Sequence, residues 1–549
     1  MATQYFFDNK IVKLPGAYST IVSGEQSQPL SLDYGKVLVI DTGVAGAGYG
    51  GGAGIDGELA SGKDAIYTFN NLADYQAYLK GGLFWKMAEA LFKPNKKEGS
   101  LGVSQVLHVR AATTTKSQMT FTATGGGANG GTFKVNTKDE GLAANGVLTS
   151  THLDKGYAYK IETGVIDTAK WVFKVYLGTW KGDYTDGLAY DEIAKADTEA
   201  ILLVSSPEFD NIQDLLDWAN TDSKFGTYFE LDATSAVAGD GSVDAADVAA
   251  VSGYQVSTGG TETFSVANLN LALDALIEED FSFIICDQYG KDDYDSSEVS
   301  AITAFINGDS KFKRFLYVGG GADESEFSGA DGSLAMGVYF NSAYVHVVHA
   351  QVGTATDSLA EGFRYWPSVY HAALMVGRTA GKEPQVPLTN KSLGVDRLKH
   401  SLTKAQQELA LDNGVKVTVW NQYLLKFVCL QDVNTLQDNK RLFNTQGKSH
   451  QGSFMRIVEQ INKELVVNAE IDLLSDENGV NANTLSGGEL KNWTETYLET
   501  RLAKPDDDNL LLDYRDVTVT KNVDAWEVTY GIVVNNEINK IFFTGFLFS

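Results

Sequence analysis

The apolar positions along this chain change period several times, and each change marks a boundary. The first clear run, "KVLVID" (Lys36–Asp41), is continuous and not alternating, as expected of a strand buried on both faces. A glycine-rich stretch comes next. Then comes "DAIYTF", whose β-branched and aromatic residues predict a second strand. "LADYQAYLKGGLFWKMAEALF" has helical spacing interrupted at Gly81-Gly82, which predicts two helices. "VSQVLHVRA" reads as a strand. From about residue 113 to 260 the texture becomes alternating, as in "YAYKIETGVIDTAKWVFKVYLGTW" with its glycine punctuation. That pattern predicts antiparallel strands. Continuous runs return near Ser265, an N-cap candidate for the helix "SVANLNLALDALIEED". The strand "FSFIICD", the helix "SSEVSAITAFING" and the strand "RFLYVGG" come after it. Alternating helices and strands of this kind argue for a mainly parallel sheet.

The last third opens at "GKEPQVPLTNKSLGV". Thr403 and Gln406 form a capping box for the helix "KAQQELALDNG", which Gly414 stops. "VKVTVW" and "LKFVCLQDVNT" read as strands, "GSFMRIVEQINKELVV" as a strongly periodic helix, and the segment from "YRDVTVTKNV" to the last residue as long strands with period two. The apolar end "NKIFFTGFLFS" would be a sticky edge if left unpaired. At the other end, "QYFFDNKIVKLPGAYSTIVSG" has too few apolar residues for a core of its own, yet about 20 extended residues span roughly 65 Å. The pattern therefore predicts α/β and α+β multidomain organisation. An N-terminal arm (1–25) precedes an α/β core domain in two parts (26–112 and 261–380). A β-rich acidic insertion (113–260) faces outward from that core, and a C-terminal α+β domain (381–549) ends in a terminal strand arm.

Composition sharpens this picture mainly by exclusion. The 549 residues are 43% hydrophobic and 11% aromatic, a folded composition, with a net charge of −27. An acidic chain is a poor general binder of nucleic acid or anionic membrane. No apolar run is long enough to span a bilayer, and the N-terminal residues read as neither a signal nor a transit peptide, so synthesis and assembly in a cytoplasm are expected. Cys286 and Cys429 sit in apolar runs and read as buried free thiols. The charge is uneven. Residues 183–247 hold sixteen acids against two lysines, which reads as a solvated outer face; residues 391–463 hold eleven bases against six acids.

No catalytic pattern emerges. Gly57 to Lys63 has G-x-x-x-x-G-K spacing, but Asp64 stands where a phosphate loop needs a Mg²⁺-binding hydroxyl, and a strand-like run comes next where a helix is needed. A flexible surface loop is the preferred reading. "DGSVDAADVAA" lacks the ligand spacing and closing glutamate of a calcium loop. Of the seven histidines, His346 and His349 lie closest, but positions i and i+3 of a strand face opposite ways, so each reads as a packing histidine. No cofactor or metal is expected.

The order of pieces resembles the contractile tail sheath proteins of bacteriophages and related injection machines. The resemblance runs through "GKEPQVPLTNKSLGV", "LTKAQQELALDNGVKVTVW", "LQDVNT", "FMRIVEQINKEL" and "DVTVTKNVDAWEVTYGIVVNNEINKIFFT", and more loosely through "KLPGAYS", "DAIYTFNNLADYQAYLKGG" and "DEGLAANGV". It implies a structural, non-catalytic protein of a virion tail. Such subunits form stacked rings, commonly sixfold, around a tail tube protein, with baseplate and tail terminator proteins as further partners. On a trigger the sheath shortens and drives the tube through a cell envelope. The arms would add strands to neighbouring subunits, with Phe6, Phe7, Ile11 and Val12 at one end and Ile541, Phe542, Phe543 and Phe546 at the other. Arg456 and Lys463, on the periodic helix, are the expected tube-facing residues. Two other readings stand beside this one: another self-assembling shell or tube subunit, and a nucleotide-dependent enzyme built on the α/β block.

Overall fold

The computed structural model describes residues 5–7, 10–12, 34–41, 66–79, 82–140, 144–149, 152–178, 200–251, 253–264, 266–277, 279–289, 297–308, 313–330, 332–354, 358–359, 362–363, 365–437, 448–473, 485–502, 510–522 and 525–534. The chain divides into two compact units. One comprises residues 1–32, 464–502 and 513–533; the other comprises 33–463, 503–512 and 534–549.

The larger unit is built around a seven-stranded sheet. Its strands are β1 (Lys36–Asp41), β2 (Ile66–Phe69), β3 (Gln105–Arg110), β4 (Phe283–Tyr289), β5 (Phe315–Gly319), β6 (Val345–Val348) and β7 (Val415–Lys416), in the spatial order β7-β6-β5-β4-β1-β3-β2. Every neighbouring pair is parallel except β2 with β3. Parallel pairs need crossovers. The helix α4 (Ser297–Asn307) lies between β4 and β5 in the chain, and the helix Ser333–Phe340 between β5 and β6. Because helices cover such sheets, the strands are largely apolar, and β5 and β6 are buried at every position. The interrupted helical pattern before β3 resolves into α1 (Leu72–Leu79) and α2 (Gly82–Phe92), and the helix before β4 is α3 (Val266–Ala275). Ser265, its expected cap, lies outside the described residues. The helix α5 (Ser368–Ala380) is buried at twelve of its positions. A Cβ on its Gly377 would come within 2.4 Å of the Ala90 carbonyl, so α5 and α2 meet backbone to backbone. The strand β7 comes from the segment expected as a C-terminal domain, yet it pairs with β6 through Val347 and Val415.

The insertion leaves and returns through one antiparallel pair, Ala112–Thr114 with Glu262–Phe264. Between them lie two four-stranded antiparallel sheets, besides the short pair of Val147–Thr149 with His152–Lys155. One is led by Lys116–Ala123 and Gly131–Glu140; the other holds Tyr157–Thr163, Trp171–Leu177 and Ile201–Ser205. Their core is aromatic, with Tyr159 stacked on Phe173 at 4.9 Å and Phe133 edge-on to the same ring at 5.2 Å. The alternating pattern did not announce the helix Ile212–Thr221. Its cap is Asn211, whose side chain accepts from the Asp214 amide, and its buried face is Ile212, Leu215, Trp218 and Ala219. Asp214 and Asp217 on that helix are exposed.

In the last third, α6 (Lys404–Asp412) starts with the expected capping box of Thr403 and Gln406. Gly414, at φ 71°, ends it in the left-handed region. The strands Thr418–Asn421 and Lys426–Cys429 form a two-stranded ribbon, and the periodic helix is α7 (Gly452–Asp472). Cys286 and Cys429 are buried free thiols.

The smaller unit holds α8 (Gly487–Thr500), which has its own capping box of Ser486 and Glu489. Glu464 is ion-paired with Arg501 at 2.8 Å and accepts a hydrogen bond from the Tyr497 hydroxyl.

Candidate functional site

The carboxyl ends of β1 and β4 are where an open α/β sheet normally holds a ligand, because the strand order reverses there. Asp41 closes β1 and is buried, with its Oδ2 3.6 Å from His108 Nε2. The Tyr75 hydroxyl lies 2.9 Å from His108 Nδ1. Burial, and then the charge of Asp41, push the Tyr75 hydroxyl far above its ordinary value. A second polar chain runs from Ser333 Oγ to His349 Nδ1 (2.8 Å) and from His349 Nε2 to His400 Nδ1 (2.9 Å), while the Gly321 amide donates to Ser333 Oγ. Burial and then His400 lower the His349 pKa to about 3, so its imidazole is neutral. These groups saturate one another inside the core, and neither chain lines the cavity beside α5 or the one beside Pro94. His346 faces away from His349, as the strand period requires, and bonds the Val433 carbonyl at 3.0 Å. The phosphate-loop spacing at residues 57–63 lies outside the described residues. The first described element after it is β2, an antiparallel edge strand, and not the helix that an anion site needs. In the calcium-like stretch, Asp244 and Asp247 form the capping box of the helix Ala245–Ala249, and Asp247 also accepts from the Thr124 and Gly125 amides.

Arg456 and Lys463, expected on an outward face of the periodic helix, are both buried. Arg456 is 0% exposed. Its Nη2 donates to Asp432 Oδ2 at 2.7 Å, and Asp432 Oδ1 receives Lys416 Nζ at 2.5 Å. The Lys416 ammonium also reaches the Tyr317 hydroxyl at 3.1 Å, and the Leu388 amide donates to Asp432. Burial works against the charge on all three ions. The two cations outweigh it at Asp432, holding that carboxyl far below the usual range, and Asp432 in turn holds Lys416 and Arg456 above theirs. The cluster ties β7 to α7 through ions with no access to water. Lys463 is also buried, and ion-paired with Asp280. The helical period signalled burial here, but the charges on these residues argued for solvent, and the period prevailed. A sequence sign was present: Lys416 in "VKVTVW" and Asp432 in "LQDVNT" are opposite charges set inside apolar runs.

The elements expected to link subunits take a simple form. Tyr5–Phe7 pairs antiparallel with Lys10–Val12, with Phe6 opposite Ile11 and Tyr5 opposite Val12. Ile541, Phe542, Phe543 and Phe546 lie outside the described residues. Leu511–Asn522 and Ala525–Val534 form a terminal ribbon of twelve and ten residues, and no third described strand joins it. A cavity of about 260 Å³ is lined by Arg378, Thr379, Lys382, Val386, Pro387, Leu388 and Lys391.

No protein-family model and no curated protein matches the chain. Among solved structures it is similar to the sheath tail protein of Desulfitobacterium hafniense, with 16% identity over 94% of this chain and 100% of that one and a TM-score of 0.53. It is also similar to the sheath tail protein of Listeria innocua, with 14% identity over 91% and 95% of the two chains and a TM-score of 0.47. The helical sheath of the anti-feeding prophage in its contracted state matches over 52% of this chain and 78% of that one, at 15% identity and a TM-score of 0.35. The end-to-end match to the first of these shows the fold: this chain is built on the fold of a tail sheath protein.

Proposed function

We propose that this chain is the subunit of a contractile tail sheath, a structural protein without catalytic activity. The shared fold, matched over the whole length of a sheath tail protein, is the observation that carries the reading. In this reading the subunits form stacked rings around a tail tube and connect to a baseplate and a terminator. The particle is a phage tail or a phage-like injection machine. Contraction releases the free-energy difference between a long state assembled on the tube and a shorter, wider one, in small increments per subunit.

The terminal ribbon supports the same reading, since among the described residues no third strand fills its edges. An exposed strand edge offers a row of unpaired amides and carbonyls that an extended segment from a neighbour can complete. The N-terminal arm (1–25) and the C-terminal segment supply such chain. Backbone ladders between subunits would persist while the bodies tilt, so the sheath could change diameter without coming apart.

Negative-stain electron microscopy of the purified protein, with and without residues 1–20, tests this. Full-length chain should give striated tubes, alone or on added tube protein, and truncation should leave dispersed subunits. Dispersed full-length protein under both conditions would overturn the sheath reading.

A further inference from the structure

Arg456 and Lys463 lie inside the fold, but other cations are grouped at a concave surface. The cavity beside α5 is where three cations converge. Arg378 sits in the last turn of α5, Lys382 lies just past its end, and Lys391 arrives from a separate stretch beyond Pro384 and Pro387. The carbonyl end of a helix attracts cations, which accounts for Arg378 and Lys382. It does not account for Lys391, which the turn at Asn390 delivers to the same space; Asn390 holds φ 58°. Arg378 is anchored by the Ser100 hydroxyl and by Glu98 at 3.7 Å, and its Nε is buried without a hydrogen-bond partner. The ammonium groups of Lys382 and Lys391 pair with no described acid. Glu98 already serves Lys426 and Ser392 as well as Arg378. Positive charge is therefore left over around a concave space in a chain whose net charge is −27. A volume of about 260 Å³ admits one or two side chains and their water, not a macromolecular surface.

We propose that this cavity is a socket for carboxylate side chains of a second copy of this chain. The choice of occupant rests on the self-assembly reading above and on charge complementarity. The protein's own surface is the acidic one, with exposed Asp210, Asp214, Asp217 and Asp240 among the sixteen acids of residues 183–247. Uniform acidity alone would keep copies apart. A recessed basic socket reverses that locally and admits a neighbour only where a carboxylate meets it, so it selects register as well as strength. Its lysines are compact charges on flexible stems, suited to capturing a carboxylate that tilts as subunits move.

The test uses full-length protein and the double variant Lys382→Glu/Lys391→Glu, with Lys382→Arg/Lys391→Arg as the charge-preserving control. Self-association is followed by sedimentation velocity from 50 to 500 mM NaCl, and the fold by circular dichroism and thermal melting. Wild type and the arginine variant should associate and lose at least tenfold in association constant across the salt range. The glutamate variant should melt like wild type and associate at least tenfold more weakly at low salt. Equal association of glutamate variant and wild type, or no association of wild type at any salt, overturns the proposal. Titration of the dilute, dissociated protein with inorganic phosphate covers the other source of anion. Tight phosphate binding that leaves association untouched would assign the cavity to a free anion and overturn the second-copy occupant. Dimers or short oligomers that depend on the two lysines but never form tubes would keep the socket and reject the sheath.

Discussion

The central sheet and the terminal ribbon are both made of strands, and they differ in almost everything else. The sheet's strands β5 and β6 are buried throughout, and its edges are short: β7 has two residues and β2 has four. The ribbon's strands have twelve and ten residues, of which Leu511, Val517 and Val534 are buried. Asp516, in the middle of the longer strand, sits at φ 55°, a local departure that twists a ribbon. Short edges close a sheet to outside chain, and long open ones invite it. Most of the fold's burial thus lies in one sheet, and the other is the one proposed to take a neighbour's strand.

This contrast can be broken most severely at the ion cluster. Replacing Asp432 by Ala strands Lys416 and Arg456 without a counter-charge, and should cost about 3–5 kcal/mol or prevent folding. Urea unfolding measures it; a loss below about 1 kcal/mol would mean that water reaches the cluster.

Acid should act next, and again on the larger unit. Burial lowers the pKa of His349 to about 3 and of His371 to about 4, whereas the unfolded chain titrates near 6.5. Between these values the unfolded state binds more protons, so stability falls as the pH falls. The contribution is complete above about 6.5 and is lost at about 1.4 kcal/mol per pH unit for each histidine on the way down toward 4. Melting between pH 7.5 and 4.5 follows the slope, and replacing His371 by Gln should flatten it.

Smaller effects sharpen the comparison. Thr403→Ala removes the capping box of α6 and should cost about 1 kcal/mol in the same unfolding experiment. Thr518→Lys, at an exposed position of the ribbon, should change stability by less than about 0.5 kcal/mol. If the ribbon is the accepting edge, that variant should still weaken tube formation seen by microscopy. A ribbon substitution that unfolded the monomer would erase the distinction between the two regions.

The two regions were also unequally legible. Continuous apolar runs mark β1, β4 and β5 because burial on both faces leaves no polar position to blur them. The break between α1 and α2 and the capping box of α6 rest on local chemistry, which a sequence states directly. The helix Ile212–Thr221 was hidden because its acids matched a stretch read as solvated, and its cap, Asn211, is visible only after the helix is suspected. The burial of Arg456 depends on Lys416 and Asp432, which are close in space and distant in the chain. One-dimensional periodicity registers the buried face and cannot register the counter-charge. The socket is harder still, since Arg378, Lys382 and Lys391 converge through turns whose geometry no periodicity encodes.

The order of strands has a temporal consequence. β1 is an interior strand of the sheet, but its partner β4 comes about 250 residues later, with the whole insertion in between. At translation rates of about 5–20 residues per second, one side of β1 waits roughly 12–50 s for its neighbour to leave the ribosome. The insertion, with its own aromatic core and a single antiparallel stem, is complete in the chain before β4 is made. Folding during synthesis therefore finishes a module inside an unfinished one. The apolar strand "KVLVID" is the segment for which a chaperone, or a pause in translation, matters most.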